Sequence, residues 1–229
     1  MLIFHNTNLP QKAKSALSLY GETVDFTAPG LVYEAVCGHP DLFITQVGSE
    51  LIVAPNIPIR YLQLLNERKI SYRIGQTPVG FRYPESAKYN VVTTGKHFIY
   101  NLHISDPLLL EIDNNLEKIH VNQGYTRCNL LSLSDMHFIT SDQGIYKTLL
   151  MKELQVLFVN PAGIELPGFN HGFFGGACGV LQKTVFISGS LKYHLQGEII
   201  RQFIADAGYS FAELYDGPLF DGGGIIFVA

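Results

Sequence analysis

Short apolar runs recur along the chain at a near-constant interval. Four of them look alike: Glu50-Leu-Ile-Val-Ala-Pro-Asn56, His97-Phe-Ile-Tyr-Asn101, His137-Phe-Ile-Thr-Ser141 and Val185-Phe-Ile-Ser-Gly189. Each is a β-type run that ends on small or polar turn residues. Each follows a second apolar run: Leu42-Phe-Ile-Thr, Asn90-Val-Val-Thr, Asn129-Leu-Leu-Ser-Leu and Cys178-Gly-Val-Leu. Gly48-Ser49, Thr94-Gly95, Ser134-Asp135 and Gln182-Lys183 fit as the turns, so four hairpins are predicted. Taking Leu51, Phe98, Phe138 and Phe186 as equivalent, the intervals are 47, 40 and 48 residues.

Helical spacing follows each hairpin. The apolar stripes are Tyr61, Leu62, Leu64 and Leu65, then Leu108 to Leu110 with Ile112 and Leu116. Ile145, Leu149, Leu150 and Leu154 come next, then Ile199, Ile200, Phe203 and Ile204. Ser105-Asp-Pro107 and Ser141-Asp142 supply capping chemistry. Propeller blades of the WD type have a similar period but carry no helix, so a helix per unit excludes them. The strand Leu2-Ile-Phe-His5, the helix Pro10–Tyr20 and the terminal strand Gly224–Ala229 together make a fifth unit. Pairing of the two terminal strands would close a ring and remove unpaired edges. The expected fold is α/β, a five-bladed β/α propeller in a single domain, 1–229. Its units run approximately over 22–76, 77–123, 124–170, 171–216, and 217–229 plus 1–21.

Composition narrows the function. Hydrophobic residues are 47% and charged residues 16% of 229, enough to fill a core. The net charge of −4 comes with no basic stripe, which argues against nucleic acid as a partner. No apolar run approaches the roughly 20 residues of a spanning helix, so no membrane partner is expected. The N-terminus lacks the pattern of a signal peptide, and cytoplasm is the expected compartment. Oligomeric state is open. Three cysteines, Cys37, Cys128 and Cys178, do not form a disulfide framework.

A ring of five such units resembles the pentein fold of arginine and agmatine deiminases, dimethylarginine dimethylaminohydrolases and glycine amidinotransferases, which a non-catalytic ribosome-associated initiation factor also shares. His39-Pro-Asp41-Leu-Phe-Ile-Thr-Gln resembles the first-unit motif of the dimethylarginine hydrolases, whose Asp binds the guanidinium; Asp41 is the matching position. Asn170-His171-Gly-Phe-Phe-Gly-Gly resembles the fourth-unit strand entry, which implies that His171 is the general acid/base. Asp221-Gly-Gly-Gly-Ile-Ile-Phe227 is similar to the strand that carries the nucleophilic cysteine.

The chain departs from that pattern in three places. Ile225 or Ile226 stands where the cysteine would be, Asn129 replaces an Asp, and Phe173 stands where a carboxylate is usual. The closest resemblance is therefore to a bacterial pentein-fold group of unassigned reaction that lacks the C-terminal cysteine.

The expected ligand is a small molecule of guanidino type in a central channel. A thiolate would attack it, a histidine would move protons and carboxylates would hold the cation. Cys178, in the same segment as His171, is the expected substitute nucleophile, with Arg127 or protonated His171 lowering its pKa. His39, Asp41, Arg127, Asn129 and Asp221 are the expected substrate-binding residues. His97 and His137, at equivalent hairpin positions, read as structural. No cofactor and no metal is assigned. Two alternatives stay open: a non-catalytic ligand- or protein-binding pentein, and a metal-binding protein using Cys37, Cys128, Cys178, His39 and His171.

Overall fold

The structure is a computed structural model describing residues 1–112 and 115–229. The fold is mixed α/β. Among the described residues, five three-stranded sheets repeat one topology: the middle strand pairs antiparallel with one neighbour and parallel with the other. In the first unit, Ile44–Val47 and Glu50–Val53 form the hairpin, the helix Ile59–Glu67 crosses over, and Arg73–Ile74 returns parallel to the middle strand. The second, third and fourth units repeat this over Val92–His120, Leu130–Phe158 and Cys178–Glu213. The fifth combines both ends of the chain. Leu2–Asn6 pairs antiparallel with Ile226–Val228 and parallel with Glu22–Phe26.

All four predicted hairpins form with the expected turns, and the two terminal strands pair. Two points differ from expectation. Every unit has a third strand after its helix, which also carries the fifth unit on to Phe26. Four of these five short edge strands bury no more than one residue, so their sequences share no common apolar pattern. The second helix also stops at Glu111 and the third at Leu150, which leaves Ile112, Leu116 and Leu154 outside them, the last two just before the strands Glu117–His120 and Gln155–Phe158.

The helices are too short to persist in water by themselves. Four of them bury one residue pair spaced i, i+4 against their own sheet: Ala13 with Leu17, Tyr61 with Leu65, Ile145 with Leu149, and Ile200 with Ile204. That spacing stacks two side chains on one helical face. Asp142 caps its helix by accepting from the Ile145 N–H at 2.8 Å.

The cores lie between units. Phe4 and Phe26 of the fifth unit pack in one cluster with Ile52 and Tyr61 of the first and Phe98 and Leu109 of the second. Val92 and Ile99 join Phe138 and Ile145. Leu131 and Ile139 join Val185 and Ile200. Phe186 and Leu214 join Ile3 and Leu17. Each unit therefore buries its apolar face against both of its neighbours. Among the described residues, no helix is long and apolar enough to cross a membrane.

Asp106 ties the first unit to the second. Its carboxylate is buried and caps the helix Pro107–Glu111 through the Leu108 N–H at 3.0 Å. It also accepts from the Gln76 and Thr77 N–H groups, the Thr77 hydroxyl and the Tyr89 hydroxyl. Burial alone would raise its pKa. The hydrogen bonds from Thr77, Gln76 and Tyr89 outweigh burial and hold it below 3.8. A carboxylate with a pKa lower in the folded than in the unfolded state adds stability that is fully present above the unfolded value. That stability fades as pH falls through the lower folded value. Asp106→Ala leaves several buried donors without an acceptor and is expected to cost about 3 kcal/mol in urea unfolding at pH 7. The difference between wild type and variant should shrink as the pH drops below about 4.

Candidate active site

The segments that precede the first strands of the sheets converge on a cavity of about 300 Å³. His39, Cys128, His171 and Asp221 line it, with Tyr33, Tyr125, Phe169 and Phe173 forming aromatic walls. A second cavity of about 220 Å³ is lined from all five sheets, by residues that include Ile44, Val92, Leu131, Val180 and Ile226. Asp41 and Arg127 also line this second cavity.

Local structure fixes each polar group. His39 precedes a 3-10 turn, Pro40–Leu42, which carries Asp41. Cys128 sits on a one-turn helix, Thr126–Asn129. Asn90 joins these two pieces. Its Oδ1 accepts from the N–H groups of Arg127 at 2.7 Å and Cys128 at 3.1 Å. Its Nδ2 donates to the Asp41 carbonyl at 3.2 Å and lies 3.4 Å from Cys128 Sγ. The Cys128 thiol donates to Asp41 Oδ2 at 2.9 Å.

Asp221 follows the strand Leu219–Phe220, which pairs in parallel with Ile164–Glu165. Its carboxylate accepts from the Phe173 and Gly223 N–H groups at 2.9 and 3.1 Å and lies 4.0 Å from His39 Nε2. A side chain at Gly176 would run into that carboxylate, and one at Gly223 would run into His39.

Arg127 braces the cluster from the side. Its guanidinium donates to the carbonyls of Gly175 at 2.6 Å and Cys178 at 2.9 Å, so its hydrogen bonds go to main chain rather than to a carboxylate.

The electrostatics are those of buried acids short of cations. Burial pushes Asp41 up to about 6, with Arg127 and the Cys128 and Asn90 hydrogen bonds pulling it back. Burial pushes Asp221 up to about 7, against the hydrogen bonds from Gly223 and Phe173. Burial drives His39 down to about 3, with the Asp221 main chain pulling weakly the other way. Burial and the Asp41 charge raise the Cys128 thiol far above its ordinary value. Neither ring nitrogen of His39 makes a hydrogen bond of ordinary geometry, and Asp41 Oδ1 has no partner.

The expected residues separate into two groups. His39, His171 and Asp221 reach the larger cavity, and Asp41, which lines the smaller one, is hydrogen-bonded to the Cys128 thiol that lines the larger. Arg127 and Asn129 act through main chain: Asn129 Nδ2 donates to the Tyr125 carbonyl, and its Oδ1 is buried and unpartnered. Cys178 lines neither cavity. It is fully buried in the core that includes Phe174, Ala177 and Val185, and burial raises its pKa to about 12, with Arg127 lowering and Asp221 raising it. Cys37 is likewise a core residue. Ile225 and Ile226 form part of the apolar wall of the smaller cavity. No sequence motif marks Asn90 or the bond from Cys128 to Asp41. The available signal was their shared position at strand entries.

The family profile that matches this chain spans residues 4–226 and is described as a family of unknown function, DUF6873. The chain belongs to DUF6873. No curated protein matches the sequence.

Solved structures share the fold of this DUF6873 chain at low identity. The amidinotransferase SxtG from Microseira wollei, of the saxitoxin biosynthetic pathway, is 11% identical, covers 92% of this chain and 87% of its own, and has a TM-score of 0.55. A cysteine-to-serine mutant of DDAH from Pseudomonas aeruginosa, complexed with citrulline, is 11% identical, with coverages of 93% and 91% and a TM-score of 0.53. The inosamine-phosphate amidinotransferase StrB1 from Streptomyces griseus is 11% identical, with coverages of 95% and 78% and a TM-score of 0.53. All three are pentein enzymes, and the likeness extends over nearly the whole DUF6873 chain.

Asn90→Ala tests how the thiol is held. It leaves two buried N–H groups unpaired and frees Cys128 from its neighbours. The expected result is a loss of about 3 kcal/mol in denaturant unfolding, together with faster reaction of Cys128 with a thiol reagent in the folded protein.

Proposed function

We propose that this protein is a five-bladed pentein ring, one domain over 1–229, that binds a small guanidino- or amidino-type cation in the 300 Å³ cavity and attacks it through Cys128. Three features support the ring: the repeated sheet topology, cores shared by every neighbouring pair of units, and one cavity lined from all five sheets. One observation carries the site: a thiol, hydrogen-bonded to a buried carboxylate, opens on the same cavity as a second buried carboxylate. Asp221, which lines the cavity, would receive the cation, because a planar guanidinium is best read by carboxylates that accept its N–H groups, and Asp41 would stand behind Cys128 as its proton acceptor. The aromatic walls suit its faces.

In this reading Cys128 Sγ forms a bond to the central amidino carbon and its proton passes to Asp41. The carbon–nitrogen bond to the leaving amine breaks, and the amine takes a proton from His171. Water or an acceptor amine then attacks the carbon and gives its proton to His171, and the sulfur leaves and takes back the proton held by Asp41. The thiol role expected of Cys178 thus passes to Cys128, because Cys178 faces core. His39 is a neutral polar neighbour. A second reading, binding without turnover, is favoured by the apolar wall at Ile225 and Ile226 and by the strongly raised Cys128 thiol.

A pair of thiol alkylators of similar size tests the proposal. In chelator-treated protein, cationic chloroacetamidine should modify Cys128 at least about tenfold faster than neutral chloroacetamide, corresponding to about 1.4 kcal/mol of selective binding. Asp221→Asn should remove that preference, and Cys178→Ala should leave it intact. Equal rates for the two reagents would overturn cation recognition. Urea, amine or ammonia released from a panel of guanidino compounds would then separate turnover from binding alone.

A further inference from the structure

The buried groups between the two cavities have a property that organic-cation binding does not require. One imidazole nitrogen of His39, one carboxylate oxygen of Asp41 and the sulfur of Cys128 all lie within 4.8 Å of one another, and all three residues are buried. Polar groups removed from water normally find partners, and leaving them without one is costly. Here both His39 ring nitrogens and Asp41 Oδ1 have none.

We propose that His39, Asp41 and Cys128 form a mononuclear site for a thiophilic divalent cation of the zinc type. Nitrogen, oxygen and sulfur in one set match the borderline-soft preference of zinc, whereas magnesium and calcium favour oxygen alone. Zinc binds sulfur at about 2.3 Å and imidazole nitrogen at about 2.0 Å, so two such ligands on one ion lie no more than about 4.3 Å apart. The three ligand atoms fall within 4.8 Å of one another and Cys128 Sγ is 2.9 Å from Asp41 Oδ2, so modest side-chain shifts bring all three onto one ion.

Three protein ligands leave a fourth position open, the arrangement of zinc sites that hold a water or another small ligand. Cys128 and His39 line the 300 Å³ cavity, so the open position faces it. Asp221 Oδ1, at 4.0 Å from His39 Nε2, and the Asn90 amide, which anchors both Cys128 and Asp41, surround the ligands as orienting groups. A dication also answers the charge imbalance, because it binds the thiolate and Asp41 carboxylate together.

The metal site does not rest on the amidino reading. Ion and organic cation share Cys128 and Asp41, so they exclude each other.

The test uses full-length protein stripped with chelator and then titrated with Co²⁺ and Zn²⁺. Wild type should bind one equivalent of cobalt, giving a thiolate-to-cobalt charge-transfer band in the near ultraviolet that zinc then displaces. Cys128→Ser should lose the band. His39→Gln and the near-isosteric Asp41→Asn should weaken binding at least about tenfold, with circular dichroism reporting that each variant is folded. A wild-type protein with no charge-transfer band overturns the proposal, as does a band that survives Cys128→Ser. Chloroacetamidine labelling in chelator decides the other reading separately. Labelling without a cobalt band removes the metal site alone, and a cobalt band without selective labelling removes the amidino reading alone.

Discussion

Two carboxylates, Asp41 and Asp221, are buried at the junction of the units with no cation bonded to either, and the rest of the site follows from that constraint. Arg127 is the charged group placed to offset them, but its guanidinium is held by the carbonyls of Gly175 and Cys178. Burial therefore raises both acids, to about 6 and about 7, and takes the Cys128 thiol up with them. A core that needed only stability would replace such groups with apolar ones. Main-chain N–H groups, the Asn90 amide and glycines at 176 and 223 instead hold these groups in place and make room for them.

The architecture explains how one cavity can collect groups so far apart in sequence. Each unit packs against two neighbours, and the segments entering the strands meet where those packings converge. His39 and Asp41 come from the first unit, Asn90 from the second, Cys128 from the third and Asp221 from the fifth. The segment 166–173 completes the wall between the third and fourth units. Because the ligating and binding atoms ride on short 3-10 and one-turn elements braced by hydrogen bonds, small main-chain shifts would carry them together rather than singly.

Much of the fold was legible because strand and helix periodicities are local. The hairpins, the stripes Tyr61/Leu65 and Ile200/Ile204, and the pairing of the terminal strands could all be read from residue pattern alone. The third strands could not, since they are short edge strands and, apart from Glu22–Phe26 with its buried Val24 and Phe26, bury no more than one residue each. At the site, His39, Asp41, His171 and Asp221 were legible through motif resemblance. That Cys128 lines the cavity and Cys178 does not was not legible. Cys178 is seven residues from His171 in sequence, yet its side chain enters the core shared by the third and fourth units. Cys128 is selected by the bond that Asn90 makes from another unit, which no local pattern records.

The proposed site at His39, Asp41 and Cys128 exchanges protons for a cation. Calorimetry of Zn²⁺ binding at pH 7, repeated in buffers of different ionisation enthalpy, counts the protons released per ion. The account predicts a release of at least about one proton, from the Cys128 thiol with a contribution from the raised carboxylates, and its loss in Cys128→Ser. Binding heats that do not change with the buffer would contradict it.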